Sequence, residues 1–197
     1  MSTSVARPLT LIDLAAPRSG ALSNALLVIV ASLLTAGAAQ LEWRLPWTPV
    51  PITGQTFAVL LTGAVLGARR AFLAQCLYLL EGASGLPFFA GGAAGLARIV
   101  GPTGGYLVAF PFAAAITGML AEQGWDRRPA TMFLAMLTGS VIIFVLGLAH
   151  LSSFVAAGTV FTNGLFPFIP GDVTKSLLAA GAFPAAWKLA AKLGGRA

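Results

Sequence analysis

The sequence predicts an all-α membrane protein in which six transmembrane helices form one bundle. Of its 197 residues, 57% are hydrophobic and only 9% are charged, whereas a soluble domain carries about 25% charged residues. Apolar runs also alternate along the whole chain with short stretches rich in proline, glycine or charge. No long polar stretch separates these runs, so residues 1–197 are expected to form a single membrane domain.

The apolar runs and their breakers place the six helices, because a spanning helix needs about 20 mostly apolar residues. The first run is uncharged and ends before "PWTPVPITG" (46–54), whose three prolines break a helix. The second and third runs are short and are separated by Arg69 and Arg70. The fifth begins with Pro129, which helices tolerate in their first turn. The predicted helices span residues 20–41, 55–68, 71–84, 105–122, 129–151 and 171–193.

The distribution of basic residues predicts how the bundle lies in the membrane. Six helices put both termini on one side, and nine of the twelve Lys and Arg residues fall on that side. Only Arg44, Arg98 and Lys175 fall on the other. Basic residues concentrate on the cytoplasmic side of membrane proteins, so we expect a multi-pass protein of the cell (inner) membrane with cytoplasmic termini. The net charge of +6 then reflects topology, and no nucleic-acid partner is expected.

Motifs for catalysis and for nucleotide or metal binding are missing from the sequence. "GDVTKS" (171–176) lacks the glycine and the spacing of a P-loop, and "GGAAG" (91–95) does not match G-x-G-x-x-G. The single cysteine, Cys76, excludes an internal disulfide and a cysteine-based metal cluster. We therefore expect no catalytic residue, no metal and no cofactor, and the chain by itself is not predicted to be an enzyme.

An irregular, glycine-rich segment, "LPFFAGGAAGLARIVGPTGGY" (86–106), lies between two apolar runs. Irregular backbone is costly in lipid, so the segment is expected to cap the membrane surface or to surround something polar. It contains Arg98, which has no acidic residue within sixteen positions. Arg98 could extend to the membrane surface, pair with Glu81, or bind a carboxylate or carbonyl group of a ligand.

Three further groups of residues each allow a structural and a functional interpretation. Asp172 and Lys175 in "PGDVTK" are predicted to lie on one helical face. They could form a local ion pair in which Asp172 also caps the helix, they could line a polar pocket, or they could do both. The aromatic residues of the loops could form an interfacial belt or line a pocket. Small residues on the first helix permit close helix packing, either inside the bundle or as a docking face for a partner; these are Ser32, Thr35, Ala36 and Ala39.

Four segments together resemble the BioY family of biotin transport proteins. They are "PITGQT" (51–56), "GASGLPFFAG" (82–91), "GPTGGY" (101–106) and "PFIPGDVTK" (167–175), and the similarity runs from about Ala21 to Ala191. The resemblance implies a six-helix S component of an energy-coupling factor (ECF) transporter. Such a component captures the vitamin and docks, through a small-residue face on its first helix, to a transmembrane coupling protein that carries two ABC-type ATPase subunits. ATP would be hydrolysed by those subunits, which matches the missing P-loop.

The same resemblance implies roles for the loop residues in binding biotin, the transported ligand. Asp172 would accept the ureido N–H groups, Lys175 would donate to the ureido carbonyl, and Arg98 would bind an acceptor such as the carboxylate. The remaining implied site residues are the hydrogen-bonding Gln55, Ser84 and Tyr106 and the ring-walling Trp47, Phe88 and Phe89. Two alternatives stay open, namely an S component for another vitamin and a non-transporting membrane scaffold subunit.

Overall fold

The computed structural model describes residues 10–15 and 20–194, and helices dominate both ranges. In chain order the elements are α1 (Leu11–Ala15), α2 (Ala21–Ala39), β1 (Glu42–Trp43), β2 (Ile52–Thr53), α3 (Gln55–Leu66), α4 (Ala68–Ala83), α5 (Leu96–Val100), α6 (Gly104–Glu122), α7 (Pro129–Leu151), α8 (Val160–Gly164) and α9 (Ile169–Gly194). The two strands pair antiparallel, with Glu42 opposite Thr53 and Trp43 opposite Ile52.

The all-α fold class predicted from the sequence is confirmed. Helices α2, α3, α4, α6, α7 and α9 correspond to the six predicted helices, and their ends differ from the predicted ones by at most three residues. By length and composition α2, α6 and α7 can each cross a membrane, whereas α3 is apolar but has only 12 residues. The short helices α1, α5 and α8 and the two-residue strands lie in segments for which the sequence predicted no regular structure.

Small residues bring α3 and α4 close to the central helix α6. A Cβ added at Gly63 of α3 would lie 2.5 Å from the carbonyl oxygen of Ala114, and one added at Gly118 of α6 would lie 2.5 Å from the backbone nitrogen of Ala68. Gly67 separates α3 from α4 at a φ of +82°, a conformation that glycine adopts without steric cost. Close backbone approach of this kind is how helices associate in lipid, and it places α6 in the middle of the bundle.

Helix α2 lies at the edge of the bundle, against α4 and α3. Its large apolar side chains, among them Leu22, Leu26, Val30 and Leu33, are exposed. Exposed leucine and valine side chains on a spanning helix are expected to contact lipid tails, which are as apolar as they are. This face of α2 is therefore the lipid-facing surface.

The small residues predicted as a docking face lie on the opposite side of α2 and are not accessible. All four are buried inside the chain, namely Ser32, Thr35, Ala36 and Ala39. Within the chain this face is packed internally, and its role as a docking face for a partner stays a prediction. Their small size lets α2 approach α4 closely, and they could contact a partner only if α2 separated from α4.

Hydrogen bonds reinforce this contact between α2 and its neighbours. The hydroxyl of Ser32 donates to the carboxylate of Glu81 on α4. Farther along, Nε2 of Gln75 donates to the hydroxyls of Thr35 and Thr62, each at 3.1 Å, and so links α4 to α2 and α3. Glu81 thus bonds to α2, and the predicted pairing of Glu81 with Arg98 is not observed.

An ion pair holds the short helix α1 against the beginning of α4. Nη1 of Arg70 lies 2.7 Å from Oδ1 of Asp13, and Nε of Arg70 donates to Asn24 at 2.9 Å. Burial acts to raise the pKa of the Asp13 carboxyl, but hydrogen bonds from Arg70 and Thr10 outweigh it and hold the pKa below its usual value. The interaction joins α1, α2 and α4 at the end of the bundle opposite the site described below.

Candidate ligand-binding site

A cavity of about 280 Å³ opens at the end of the bundle where α2, α4 and α7 end and α3, α6 and α9 begin. We call this the cavity end. One wall is the hairpin, residues 41–53, which is closed by a 3.0 Å hydrogen bond from the backbone nitrogen of Gly54 to the carbonyl of Leu41. The other walls come from the glycine-rich segment and from α3, α6, α7 and α9.

Six of the nine predicted ligand-binding residues line this cavity: Gln55, Phe89, Arg98, Tyr106, Asp172 and Lys175. The other three do not. Trp47 is 61% exposed on the hairpin. Ser84 follows the last turn of α4 and donates to the carbonyl of Glu81 at 2.8 Å. Phe88 is half-buried and packs against the hydrophobic core.

Asp172 and Lys175 reach the cavity from the first turns of α9. One interpretation of the sequence made Asp172 the cap of this helix. Because α9 begins at Ile169, Asp172 instead lies within its first turn. Asp172 is 7% exposed, and the buried hydroxyl of Ser140 on α7 lies beside its carboxylate. Its position in the first turn still places the negative charge at the favourable end of the helix dipole.

Lys175 points across the cavity to the hairpin and α3. Its Nζ donates to the carbonyl of Thr53 at 2.9 Å and to the hydroxyl of Thr56 at 3.0 Å. Within residues 10–15 and 20–194 it forms no ion pair with Asp172, so the predicted local ion pair is not observed. A lysine ammonium has three N–H donors, and the third is available to a ligand.

Arg98 lines the cavity from α5, the short helix inside the glycine-rich segment. This helix begins after Gly95, whose φ of +89° turns the chain into it. Arg98 is exposed and forms no hydrogen bond or ion pair through its side chain with any residue that the structure describes. Its guanidinium can therefore take a carboxylate from a ligand with two parallel hydrogen bonds.

The hairpin adds to the cavity a second arginine and a carboxylate that were not predicted from the sequence as site residues. Glu42 and Arg44 both line the cavity and form an ion pair with each other. They pack against Gly91, where an added Cβ would lie 2.7 Å from Oε2 of Glu42. The spacing of two residues puts both side chains on one side of an extended strand, and this signal could have indicated the pair.

Gln55 and Phe89 are held in the wall by a hydrogen-bonded network around Tyr78. Gln55 donates through Nε2 to the hydroxyl of Tyr78, which donates to the carbonyl of Phe88 at 3.2 Å. The Tyr78 and Phe89 rings meet edge to face, with 5.6 Å between their centroids. Gln55 also accepts a 2.9 Å hydrogen bond from Thr53. These bonds fix the position of the Phe89 ring at the cavity.

Tyr106 supports the opposite wall and joins it to α8. Its hydroxyl donates to the carbonyl of Gly164 at 2.9 Å. Its ring lies against Gly147 of α7, where an added Cβ would come within 2.3 Å of the ring. Because the hydroxyl proton is already bonded within the chain, Tyr106 can offer a ligand its ring and the acceptor oxygen of its hydroxyl, but no donor.

Four aromatic and aliphatic side chains that were not predicted from the sequence complete the cavity. They are Leu107 on α6, Ile143 and Phe144 on α7, and Phe168 just before α9. The Phe144 and Phe168 rings lie 6.5 Å apart between centroids. The described residues contain no group of three or more His, Cys, Asp or Glu side chains that could hold a metal ion. The cavity thus suits a small organic anion with an apolar ring and hydrogen-bonding groups at both ends.

Comparison with known proteins identifies relatives along most of the chain. The family model described as "BioY family" matches residues 9–192. The "Probable biotin transporter BioY" of Pyrococcus horikoshii is 41% identical over 131 residues, covering 66% of this chain and 76% of that protein. The "Biotin transporter BioY" of Rhizobium etli is 40% identical over 146 residues (69% and 77%). That of Thermotoga maritima is 38% identical over 155 residues (77% and 88%).

A solved structure has the same fold. It is the crystal structure of the S-component for biotin from an ECF-type ABC transporter, and it superposes with a TM-score of 0.72 over 85% of this chain and 92% of that one. At 24% sequence identity this likeness shows the fold alone. The family model spans nearly all of the sequence, and the four segments 51–56, 82–91, 101–106 and 167–175 each contribute residues to the cavity wall. The chain therefore belongs to the BioY family.

Proposed function

We propose that this protein is the biotin-binding S component of an ECF-type, ATP-driven vitamin uptake transporter. The observation that carries the proposal is the set of charged residues around the cavity. Asp172 and Lys175, from "PFIPGDVTK", line the same cavity of about 280 Å³ as Arg98, from the glycine-rich segment. Relatives named as biotin transporters share the family of this chain.

The ureido ring of biotin has two N–H donors and one carbonyl acceptor, which α9 can match. A carboxylate is an acceptor only, so Asp172 takes the N–H groups. Lys175 keeps one N–H donor beyond those bonded to Thr53 and Thr56, and it donates this one to the ureido carbonyl. A site whose buried polar groups need these partners strongly disfavours analogues that lack them.

The rest of the biotin molecule is matched by the aromatic wall and by Arg98. Phe144 and Phe168 stand beside the start of α9, where they contact the sulfur-containing ring. The valerate carboxylate is bound by Arg98, whose guanidinium has no side-chain partner among the described residues. Gln55 and Tyr106, with their hydrogen bonds made inside the chain, shape the cavity, and Phe89 contributes its ring.

The proposal includes the other parts of the transporter. This sequence contains no P-loop, and we infer that ATP is hydrolysed by two ABC-type ATPase subunits, joined to this chain through a transmembrane coupling protein. The positive-inside rule places the termini in the cytoplasm and the cavity end outside the cell membrane. The cavity then receives biotin from the exterior without nucleotide.

Calorimetry on the purified full-length protein tests this proposal. We expect one-to-one biotin binding in detergent without ATP. Lys175→Met should abolish the binding, and Lys188→Met, on the exposed side of the same helix, should leave it unchanged. No heat with biotin would overturn the proposal. Heat with a different vitamin would point to an S component for that vitamin, and no small-molecule binding would point to a scaffold subunit.

A further inference from the structure

We call the hairpin and the connection between α7 and α9 together the roof of the cavity. We propose that this roof is seated in the membrane–water interface through exposed tryptophans of the hairpin, so that lipid is a partner of the binding site itself. Trp43 and Trp47 are 72% and 61% exposed, and Leu41 is 73% exposed. An indole ring has an apolar body and one N–H donor, which suits it to the boundary between hydrocarbon and headgroups.

The hairpin has two chemically different sides. Glu42 pairs opposite Thr53 and packs against Gly91 in the wall of the cavity. Trp43 is the next residue along the strand, and successive side chains of a strand point to opposite faces. Glu42 lines the cavity, whereas Trp43 does not and is 72% exposed, so at this point of the ribbon the carboxylate faces the cavity and the indole faces away from it.

The length of α2 places the hairpin at the depth of the interface. Its 19 residues correspond to about 28 Å at 1.5 Å per residue, close to the hydrocarbon thickness of about 30 Å. The hairpin begins two residues after α2 ends. Leu41 and Trp43 thus continue the lipid-facing surface of α2, and this continuity favours lipid over a protein partner as the occupant.

A second segment at the cavity end carries the same kind of side chain. The connection between α7 and α9 exposes Phe154, Phe161 and Phe166. It is tied to the hairpin by a 2.6 Å hydrogen bond from the hydroxyl of Thr48 to the carbonyl of Asn163 on α8. The two segments form one roof, and both present aromatic rings on its outside.

Tryptophan fluorescence in bilayers tests the proposal on the full-length protein. Variants that keep only Trp43 or only Trp47, with the other three tryptophans replaced by Phe, are placed in phosphatidylcholine nanodiscs. The lipids carry bromine either close to the headgroup or close to the chain ends. A variant without tryptophan measures the background, and melting temperature shows that each variant is folded.

We expect the headgroup-proximal bromine to quench most of the emission of both tryptophans, and the deep bromine to quench much less. Quenching by aqueous iodide without quenching by either lipid would show that the roof lies in water and would overturn the proposal. Emission insensitive to all quenchers would overturn it too, because the rings would be buried in protein. The result does not depend on which ligand the cavity binds.

Discussion

Replacement of Asp172 by asparagine isolates the contribution of one carboxylate to ligand binding. Asparagine has almost the same shape but puts an N–H₂ donor where one of the acceptor oxygens was. A hydrogen bond to a charged group contributes about 1.5–3 kcal/mol, which corresponds to about a ten- to hundred-fold loss of affinity. Because Asp172 is only 7% exposed, solvent screens little of this loss, and we expect biotin affinity to fall within that range.

Asp172→Ala should weaken binding by a similar factor. The ammonium of Lys175 keeps its hydrogen bonds to Thr53 and Thr56 when the carboxylate is removed. The alanine variant therefore does not leave a buried charge without partners, which is the change that costs most in protein interiors. Both variants remove the charge, so a much larger loss for alanine than for asparagine would show that the side-chain oxygen which asparagine retains accepts a hydrogen bond that supports binding.

The assay is biotin calorimetry alongside the melting temperature of the ligand-free protein. Asp126→Asn is the matched control, since Asp126 is fully buried away from the cavity and accepts a 2.5 Å hydrogen bond from Trp187. Burial raises the pKa of Asp126 against the hydrogen bond from Trp187 and the charge of Arg127. We expect normal affinity in this control. Normal biotin affinity in Asp172→Asn would refute the assignment of the carboxylate to the ureido group.

Three other outcomes follow from the fold. Gly91→Ala should lower the melting temperature, because alanine at a φ of +66° is strained and its Cβ would meet Glu42; an unchanged melting temperature would contradict the packing described. Because the pKa of Asp13 is lowered in the folded protein, its charged carboxylate stabilises the fold at pH values above the usual aspartate pKa. This stability is lost as the pH falls through the lowered pKa. The difference in melting temperature between wild type and Asp13→Asn should thus be present at neutral pH and vanish in acid, and a difference that persists in acid would argue against the pair with Arg70. Ala36→Trp should prevent folding or biotin binding, since Ala36 is buried inside the chain and overpacking is destabilising; a folded variant that binds biotin and fails only in ATP-driven uptake would support the docking interpretation of this face.

The sequence alone determined the helices and the class of protein. Six apolar runs separated by proline, glycine and charge leave few other arrangements, because a backbone in lipid must satisfy its own hydrogen bonds. The motifs also pointed to Asp172, Lys175 and Arg98, which lie on two distant segments and line one cavity. Such motifs are recognisable because backbone turns and charges inside a membrane protein restrict which residues can stand at each position.

Only the tertiary structure decided which side of each element faces inward. The sequence shows that one face of α2 carries small residues and the other carries large apolar residues. In lipid either face could pack inside the bundle, since lipid tails and leucine side chains are equally apolar. Packing against α4 placed Ser32 and Ala36 inside and Leu26 outside. In the loops, the pairing of a two-residue ribbon turned Glu42 toward the cavity, and Trp47 is exposed on the same hairpin. Such short elements have no periodic pattern to read, and their orientation depends on contacts with residues far away in the chain.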